Sequence, residues 1–225
     1  YVADTVMVIR DGMSVSTKDA KQGLSENEIV RDMVGRDMSD RYPARERRAG
    51  EMLLEVEGWN VWHPEHSDRQ VIKNIAFNVR AGEVVGIAGL MGSGRTELAM
   101  SIFGRSYGRR ISGSVKVHGK EADVSSVDRA ISAGLAYVTE DRKSLGLILD
   151  ETIRFNTTLA NLEGVSVGGV LNANAETKVA QEYREALRTR TPSVFQKVGN
   201  LSGGNQQKVV LAKWLYTAPE VLILD

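Results

Sequence analysis

Leu201-Ser202-Gly203-Gly204-Asn205-Gln206-Gln207-Lys208 runs directly into Val209, Val210 and Leu211, with Trp214 and Leu215 beyond. A Ser-Gly-Gly turn thus opens an apolar stripe at helical spacing. The first N–H groups of such a helix have no partner within it, and its positive dipole end points at whatever lies beside Ser202. Glycine lets an anion approach the backbone closely, and the Ser202 hydroxyl adds a donor. Two glycines before a helix are, alone, an ordinary loop. The full string is narrower, because Pro219 and the buried-strand run Val221-Leu222-Ile223-Leu224-Asp225 follow it and end on a carboxylate.

A second anion-binding pattern lies upstream. Glu83-Val84-Val85-Gly86-Ile87-Ala88 is a short apolar run of the kind buried on both faces in a central strand. Gly89-Leu90-Met91-Gly92-Ser93-Gly94-Arg95-Thr96-Glu97 follows it and leads into a helix, which is the context a P-loop requires. Gly89, Gly92 and Gly94 let successive N–H groups turn inward as an anion nest, with Ser93 between them. Thr96 stands where a hydroxyl would ligate Mg²⁺, and Asp225, closing an apolar strand, is a candidate carboxylate for the same metal. Arg95 departs from the pattern, which has Lys there. A planar guanidinium is bulkier than an ammonium and aims its donors differently, so γ-phosphoryl transfer at this site is expected to be impaired.

Other side chains compete for roles. Trp62 precedes the P-loop run and is a candidate to stack on adenine; Trp59 is its competitor, and core packing explains either. His63 and His66, with Glu65 and Asp68 nearby, lack a cysteine or third histidine at metal-motif spacing, and read as a solvated loop around Pro64. Glu140-Asp141-Arg142-Lys143 is, by residue type, a solvated charge run at a strand end.

Composition removes several function classes. Among 225 residues, Lys+Arg and Asp+Glu each number 29, so no net field draws the chain to nucleic acid or an anionic membrane. No cysteine is present, which excludes a disulfide scaffold and Cys-based metal or nucleophile chemistry. The longest apolar stretches fall far short of the ~20 residues that span a bilayer. No signal-peptide pattern opens the chain. It starts in mid-pattern and stops on a strand's functional tip, so a fragment of a longer protein is expected.

Along the chain, Thr5 to Ile9 reads as a buried strand running into the turn Arg10-Asp11-Gly12. Ser25 and Glu28 fit a capping box, ahead of an apolar face of Ile29, Val30, Met33 and Val34. Residues 41–50 are charged and read as a linker, with a new domain near Met52. Met52 to Val56 and Val71 to Val79 read as strands, and Leu98, Ile102 and Phe103 as the inner face of the P-loop helix. Val115 and Val117 mark another outer strand, Ser126 caps a helix, and Leu135 to Val138 returns to strand. Residues 152–190 are mainly helical, with Val179, Tyr183 and Leu187 four apart. The sum is an α/β core with an antiparallel outer sheet and an inserted helical block.

These motifs together resemble the ATP-binding cassette (ABC) ATPases. Leu201 to Gln207 looks like their signature motif, Val221–Asp225 like the Walker B strand, and Glu140 stands in the place of the Q-loop glutamine. The resemblance implies a P-loop NTPase fold with a central, mainly parallel sheet, an antiparallel β-subdomain and an inserted helical subdomain. It narrows to the second cassette of bacterial monosaccharide importers, carried by Gly-Arg-Thr-Glu, Glu-Asp-Arg-Lys and Leu-Ser-Gly-Gly-Asn-Gln-Gln-Lys. Residues 1–40 are then the end of a first cassette, with Val34-Gly35-Arg36-Asp37 and Tyr42-Pro43 at the junction. Residues 41–50 are the linker, and 51–225 a second cassette cut at Walker B. The resemblance further implies that the signature acts in trans, on the ATP and Mg²⁺ of the first cassette, and that a water-polarising glutamate follows Asp225. The expected nucleotide contacts are Trp62, Gly89, Gly92, Ser93, Gly94, Arg95, Thr96 and Glu97, with Thr96 and Asp225 toward the metal. The implied partners are transmembrane permease subunits and, indirectly, a periplasmic sugar-binding protein, with the ATPase on the cytoplasmic face of the membrane and no nucleic acid bound. A soluble or regulatory ABC ATPase unconnected with sugar is the alternative.

Overall fold

The computed structural model describes residues 3–10, 12–35 and 49–225. The chain divides into two compact units, residues 1–47 and 48–225. The expected linker over 41–48, Asp11 of the first turn, and Arg36, Asp37, Tyr42 and Pro43 of the expected junction lie outside the described residues.

In the first unit, β1 (Thr5–Arg10) and β2 (Met13–Asp19) form an antiparallel hairpin, followed by α1 (Glu26–Val34). The strand β1 is not the buried strand its composition predicts: Val8 is buried, but Met7 and Ile9 are more than half exposed. A lone hairpin and one helix cannot cover both faces of a strand. The helix meets the hairpin through polar contacts instead. Ser16 Oγ donates to Asp32 Oδ2 at 2.7 Å and Lys18 Nζ lies 3.2 Å from the same oxygen. Those partners, the Ser16 bond first, hold the Asp32 carboxyl below its ordinary range. The capping box does not form. Ser25 is the N-cap without a side-chain bond, and Glu28 reaches Lys18 rather than back to Ser25. Met33 and Val34, expected on the apolar face of α1, are exposed.

The second unit begins with β3 (Met52–Trp62), paired antiparallel with β4 (Gln70–Arg80) on one edge. After helix α2 (Arg95–Ile102), β5 (Arg109–Val117) pairs with the other edge of β3, and the short β6 (Lys120–Glu121) closes the sheet as β4-β3-β5-β6. The register slips between Val56 and Trp59 on the β4 edge and between Glu57 and Asn60 on the β5 edge. Gly58 there takes φ +60°, and a Cβ at the facing Gly113 would sit 2.7 Å from the Glu57 and Gly58 carbonyl oxygens. The bulge changes which parity faces inward: Leu54 and Val56 are buried before it, Trp59 and Val61 after it.

Helix α3 (Val127–Ser132) starts on Ser126, whose hydroxyl accepts from Arg129 N–H. It leads to β7 (Leu135–Val138), buried at every residue. A helical block follows: α4 (Ile153–Thr158), a small hairpin of β8 (Ser166–Val167) and β9 (Val170–Leu171), and α5 (Ala173–Ala186). Val179, Tyr183 and Leu187 are only half-buried, and Ala180 and Glu176 are the buried residues of α5. Last come α6 (Gly203–Leu215) and β10 (Val221–Leu224), which pairs parallel with β7 from Val221↔Leu135 to Leu224↔Val138. The described structure thus has the antiparallel sheet, a parallel pair and the helical block of an α/β cassette. One core cluster joins Leu54, Val56 and Trp59 of the antiparallel sheet to Leu98 and Ile102 of α2, all of β7, and Val209, Val210 and Trp214 of α6.

Residues 83–88 are the exception. The expected central strand is unpaired, with Val84 80% exposed and Ile87 50%. An apolar run becomes a buried strand only when neighbours take up its N–H and C=O groups, and no described strand lies beside it.

Candidate functional site

The P-loop run lies at the start of α2, whose N-cap is Gly94 at φ +93° and ψ +13°. This is the left-handed region, and a Cβ there would also press within 3.0 Å of Ile72 Cδ1, so glycine is required on two counts. A Cβ at Gly89 would collide with Ser93 Oγ and lie 3.5 Å from Arg95 Cδ, which brings the Arg95 stem back against the head of its own loop. Gly92 is at φ +76° with open space around it. Leu90 and Met91 are almost fully exposed, Ser93 and Arg95 are exposed, and Thr96 and Glu97 are half-buried.

Across 129 positions of sequence, Thr96 Oγ1 donates to Asp225 Oδ1 at 3.2 Å. The parallel pairing of β10 with β7 makes this possible, continued by Asp225 N–H donating to the Val138 carbonyl at 3.0 Å. The carboxylate's other oxygen accepts from Tyr137 Oη at 2.7 Å. Tyr137 is 6% exposed; burial first, then the bond to Asp225, raises its phenol far above the ordinary value, so it is a donor at any working pH. Sequence reasoning missed Tyr137, because in β7 it reads only as an apolar strand residue. A hydroxyl and a carboxylate at a helix N-terminus are hard oxygen donors that suit Mg²⁺, which takes few protein ligands and fills its shell with water and phosphate oxygens. Among the described residues no cluster of three or more His, Cys, Asp or Glu side chains is gathered for a metal. His63 and His66 stack at 4.7 Å, and His63 Nδ1 accepts from Glu65 and His66 N–H.

The two tryptophans separate. Trp59 is 1% exposed and donates from Nε1 to Ser101 Oγ at 2.9 Å, so it belongs to the core. Trp62 is half-buried at the end of β3, opposite Gln70 and next to Val61, whose partner Ile72 lies against Gly94.

At the other anion-binding pattern, Ser202, Gly203 and Gly204 are exposed at the N-terminus of α6, and Leu201 is half-buried behind them. Ser202 Oγ accepts from Asn205 Nδ2 at 3.0 Å, which leaves its own O–H directed elsewhere. Asn205 also accepts from Arg190 N–H. Gln206, 5% exposed, donates to the Val198 and Leu201 carbonyls and accepts from Arg142 Nε at 3.1 Å. Gln207 is exposed. The Arg142 guanidinium passes so near that a Cβ on Gly203 would be 2.9 Å from it. Arg142 opens a five-residue π-turn, Arg142–Gly146, capped by Asp141; the Ser144 backbone N–H leads the bonds that hold the Asp141 carboxyl below its ordinary range. Glu140, just before it, is exposed. The charge run is therefore half structural: Arg142 and Asp141 tie the end of β7 to the start of α6, while Glu140 and Lys143 face outward.

Lys213 is a second residue the sequence did not single out. It is 6% exposed on α6, donates from Nζ to the Gly146 carbonyl at 2.6 Å and lies 4.7 Å over the Trp214 ring. Burial pulls its ammonium down to about 8.

Comparison with known proteins gives these features a context. The family described as ABC transporter matches residues 72–225. The L-arabinose transport ATP-binding protein AraG of Geobacillus stearothermophilus is 54% identical over all 225 residues, which make up 44% of its length. The xylose import ATP-binding protein XylG of Thermoanaerobacter pseudethanolicus is 44% identical, and the ribose import ATP-binding protein RbsA of Chromobacterium violaceum 45%, each over 224 residues. The chain spans 44% and 43% of those two proteins, so less than half the length of the relatives it matches. Among solved structures, a dimeric ATP-binding cassette bound to ADP and phosphate superposes with TM-score 0.62 at 20% identity, covering 77% of this chain and 73% of that one. A nucleotide-free cassette of an ABC transporter gives TM-score 0.59 at 20% identity, covering 78% and 69%. These two likenesses bear on the fold.

Proposed function

The chain belongs to the ABC transporter family, and on that footing we propose that it is part of the ATP-binding subunit of a monosaccharide importer. Residues 1–40 are taken as the end of one cassette, 41–50 as a linker and 51–225 as the larger part of a second. The observation that carries the reading is the meeting of Thr96 with Asp225 at the head of α2, since a phosphate-binding loop needs a metal-facing hydroxyl and carboxylate side by side. The Gly89–Gly94 loop and the first turn of α2 receive the phosphates, and Trp62 stacks on the adenine. Thr96 and Asp225 would hold Mg²⁺, which would supply positive charge against the negative charge that develops in transfer.

Arg95 makes this site the weaker of two. Ser202 and the N–H groups of Gly203 and Gly204 address the γ-phosphate of ATP held by the other cassette, so the competent site is completed in trans. Closure of the two cassettes on ATP then drives a pair of permease subunits that receive sugar from a periplasmic binding protein, with the ATPase on the cytoplasmic face. Among the described residues no helix is long and apolar enough to cross a membrane. The relatives' names specify arabinose, xylose and ribose, all pentoses, and a pentose is the substrate class proposed here.

The test is uptake of labelled arabinose, xylose and ribose by cells deleted for the full-length protein and then complemented with it. Loss of one pentose's uptake on deletion and its return on complementation supports the reading. Unchanged uptake of all three sugars, together with no Mg·ATP binding by the purified protein, overturns it.

A further inference from the structure

We propose that Tyr137 is a positioning residue for Asp225, fixing the orientation in which that carboxylate faces the metal; this rests on the reading of Thr96 and Asp225 as the Mg²⁺ side of a nucleotide site. A carboxylate at a strand end has a broad, two-fold torsion about its last bond, so a backbone that places Asp225 does not by itself aim either oxygen. Here each oxygen has its own donor. Tyr137 Oη holds Oδ2 at 2.7 Å from the buried side, and Oδ1 is turned to Thr96 Oγ1 at 3.2 Å. The Tyr137 bond is the shorter, and its donor is the more buried of the two.

Tyr137 can do this because its ring is buried against another aromatic side chain. It packs 5.8 Å from Phe103, which stands edge-on to Trp214 at 5.2 Å, so helices α2 and α6 together set where the hydroxyl points. Parallel register does the rest: Ile223 pairs with Tyr137 and Leu224 with Val138, which brings residue 225 level with the hydroxyl. Phenylalanine would fill the same space and satisfy the same core. The hydroxyl is therefore explained by Asp225 rather than by packing. Tyr137 also lines a cavity of about 360 Å³, whose other walls include Met100, Ile131, Leu145 and Trp214.

The test is Tyr137→Phe in the full-length protein, with Mn²⁺ as the probe in place of Mg²⁺. Mn²⁺ affinity is measured by electron paramagnetic resonance in the presence of a non-hydrolysable ATP analogue, and the analogue's own affinity is measured separately in EDTA. Loss of a partner that orients a metal ligand typically costs 10–100-fold in metal affinity, and roughly tenfold weaker Mn²⁺ binding is expected here. Analogue affinity in EDTA should stay within about twofold, because neither the glycine loop nor Trp62 is touched. Thermal unfolding of the variant separates a folding defect from a local one, and Tyr137→Leu, which removes ring and hydroxyl together, should weaken Mn²⁺ no less than Tyr137→Phe. Unchanged Mn²⁺ affinity in a folded Tyr137→Phe protein overturns the proposal. Failure of the unaltered protein to bind the analogue at all overturns the nucleotide-site reading beneath it instead.

Discussion

The two anion-binding patterns of this chain are built to opposite plans. The start of α6 is tied down by its own unit: Gln206 bonds two carbonyls and Arg142, and Asn205 bonds Ser202 and Arg190. The P-loop has an ordered far side, where Gly94 packs on Ile72, but its near side is the unpaired run 83–88 and the exposed Leu90 and Met91. One site gets its geometry from side chains of its own first turn and from Arg142, while the other depends on backbone neighbours. A pattern of residues names the groups of the first, and Arg142 and Arg190 come to them from elsewhere in the chain. It specifies the second only as far as the chain around it supplies pairing partners.

The sharpest way to break the comparison is Gly203→Asp against Thr96→Ala in reconstituted full-length transporter. Aspartate at 203 lies beside Arg142, which offers it a partner, so the fold should survive while a carboxylate faces the incoming triphosphate. Uptake and ATPase rate are expected to fall at least ~100-fold, of the size seen when one preorganised donor to a developing charge is lost. Thr96→Ala should cost less than ~10-fold, as it injures the site that Arg95 already weakens. Equal losses would mean that Arg95 works as a P-loop cation and that the sites are not asymmetric.

The tryptophans give a contrast of stability with binding. Trp59→Ala empties a fully buried site and removes the donor to Ser101 Oγ, at an expected cost of about 3–5 kcal/mol in denaturant unfolding. Trp62→Ala should leave unfolding nearly unchanged and weaken ATP and ADP by the same factor. If Trp62→Ala spares both nucleotides, the adenine stacks elsewhere.

Within the signature helix, Gln206→Ala should destabilise by about 2–3 kcal/mol, since it leaves the Val198 and Leu201 carbonyls and Arg142 without this partner. The exposed Gln207→Ala should stay within about 0.5 kcal/mol. Similar melting shifts for the two would show that the start of α6 is not held by its side chains.

The smallest effect is one of pH. Lys213 holds its proton less tightly folded, at about 8, than unfolded, near 10.5. Between those values the unfolded chain carries the extra proton, so stability rises with pH across that window; below it both states are protonated and the penalty is full. Lys213→Met should therefore be more stable at pH 7 by roughly 1–2 kcal/mol, after the lost Gly146 bond is offset, and should lack the rise. A rise that persists in Lys213→Met assigns it to another group.

Local chemistry determined by sequence alone includes the loop glycines, the hydroxyl of Thr96, the carboxylate that ends β10 and the Ser-Gly-Gly opening of α6. Each depends on neighbours within a few residues. The placement of Trp59 and Trp62 was decided elsewhere. Strict alternation from Leu54 and Val56 would turn Trp62 inward and Trp59 out. The bulge at Gly58, accommodated by Gly113 on a strand more than fifty residues on, reverses that parity. Tyr137, Lys213 and Gln206 likewise owe their roles to partners 88, 67 and 64 residues distant. Residues 83–88 carry the apolar pattern of a buried strand and stay exposed. A sequence records which surfaces are apolar and which groups can bond; pairing and packing in three dimensions decide which of them meet.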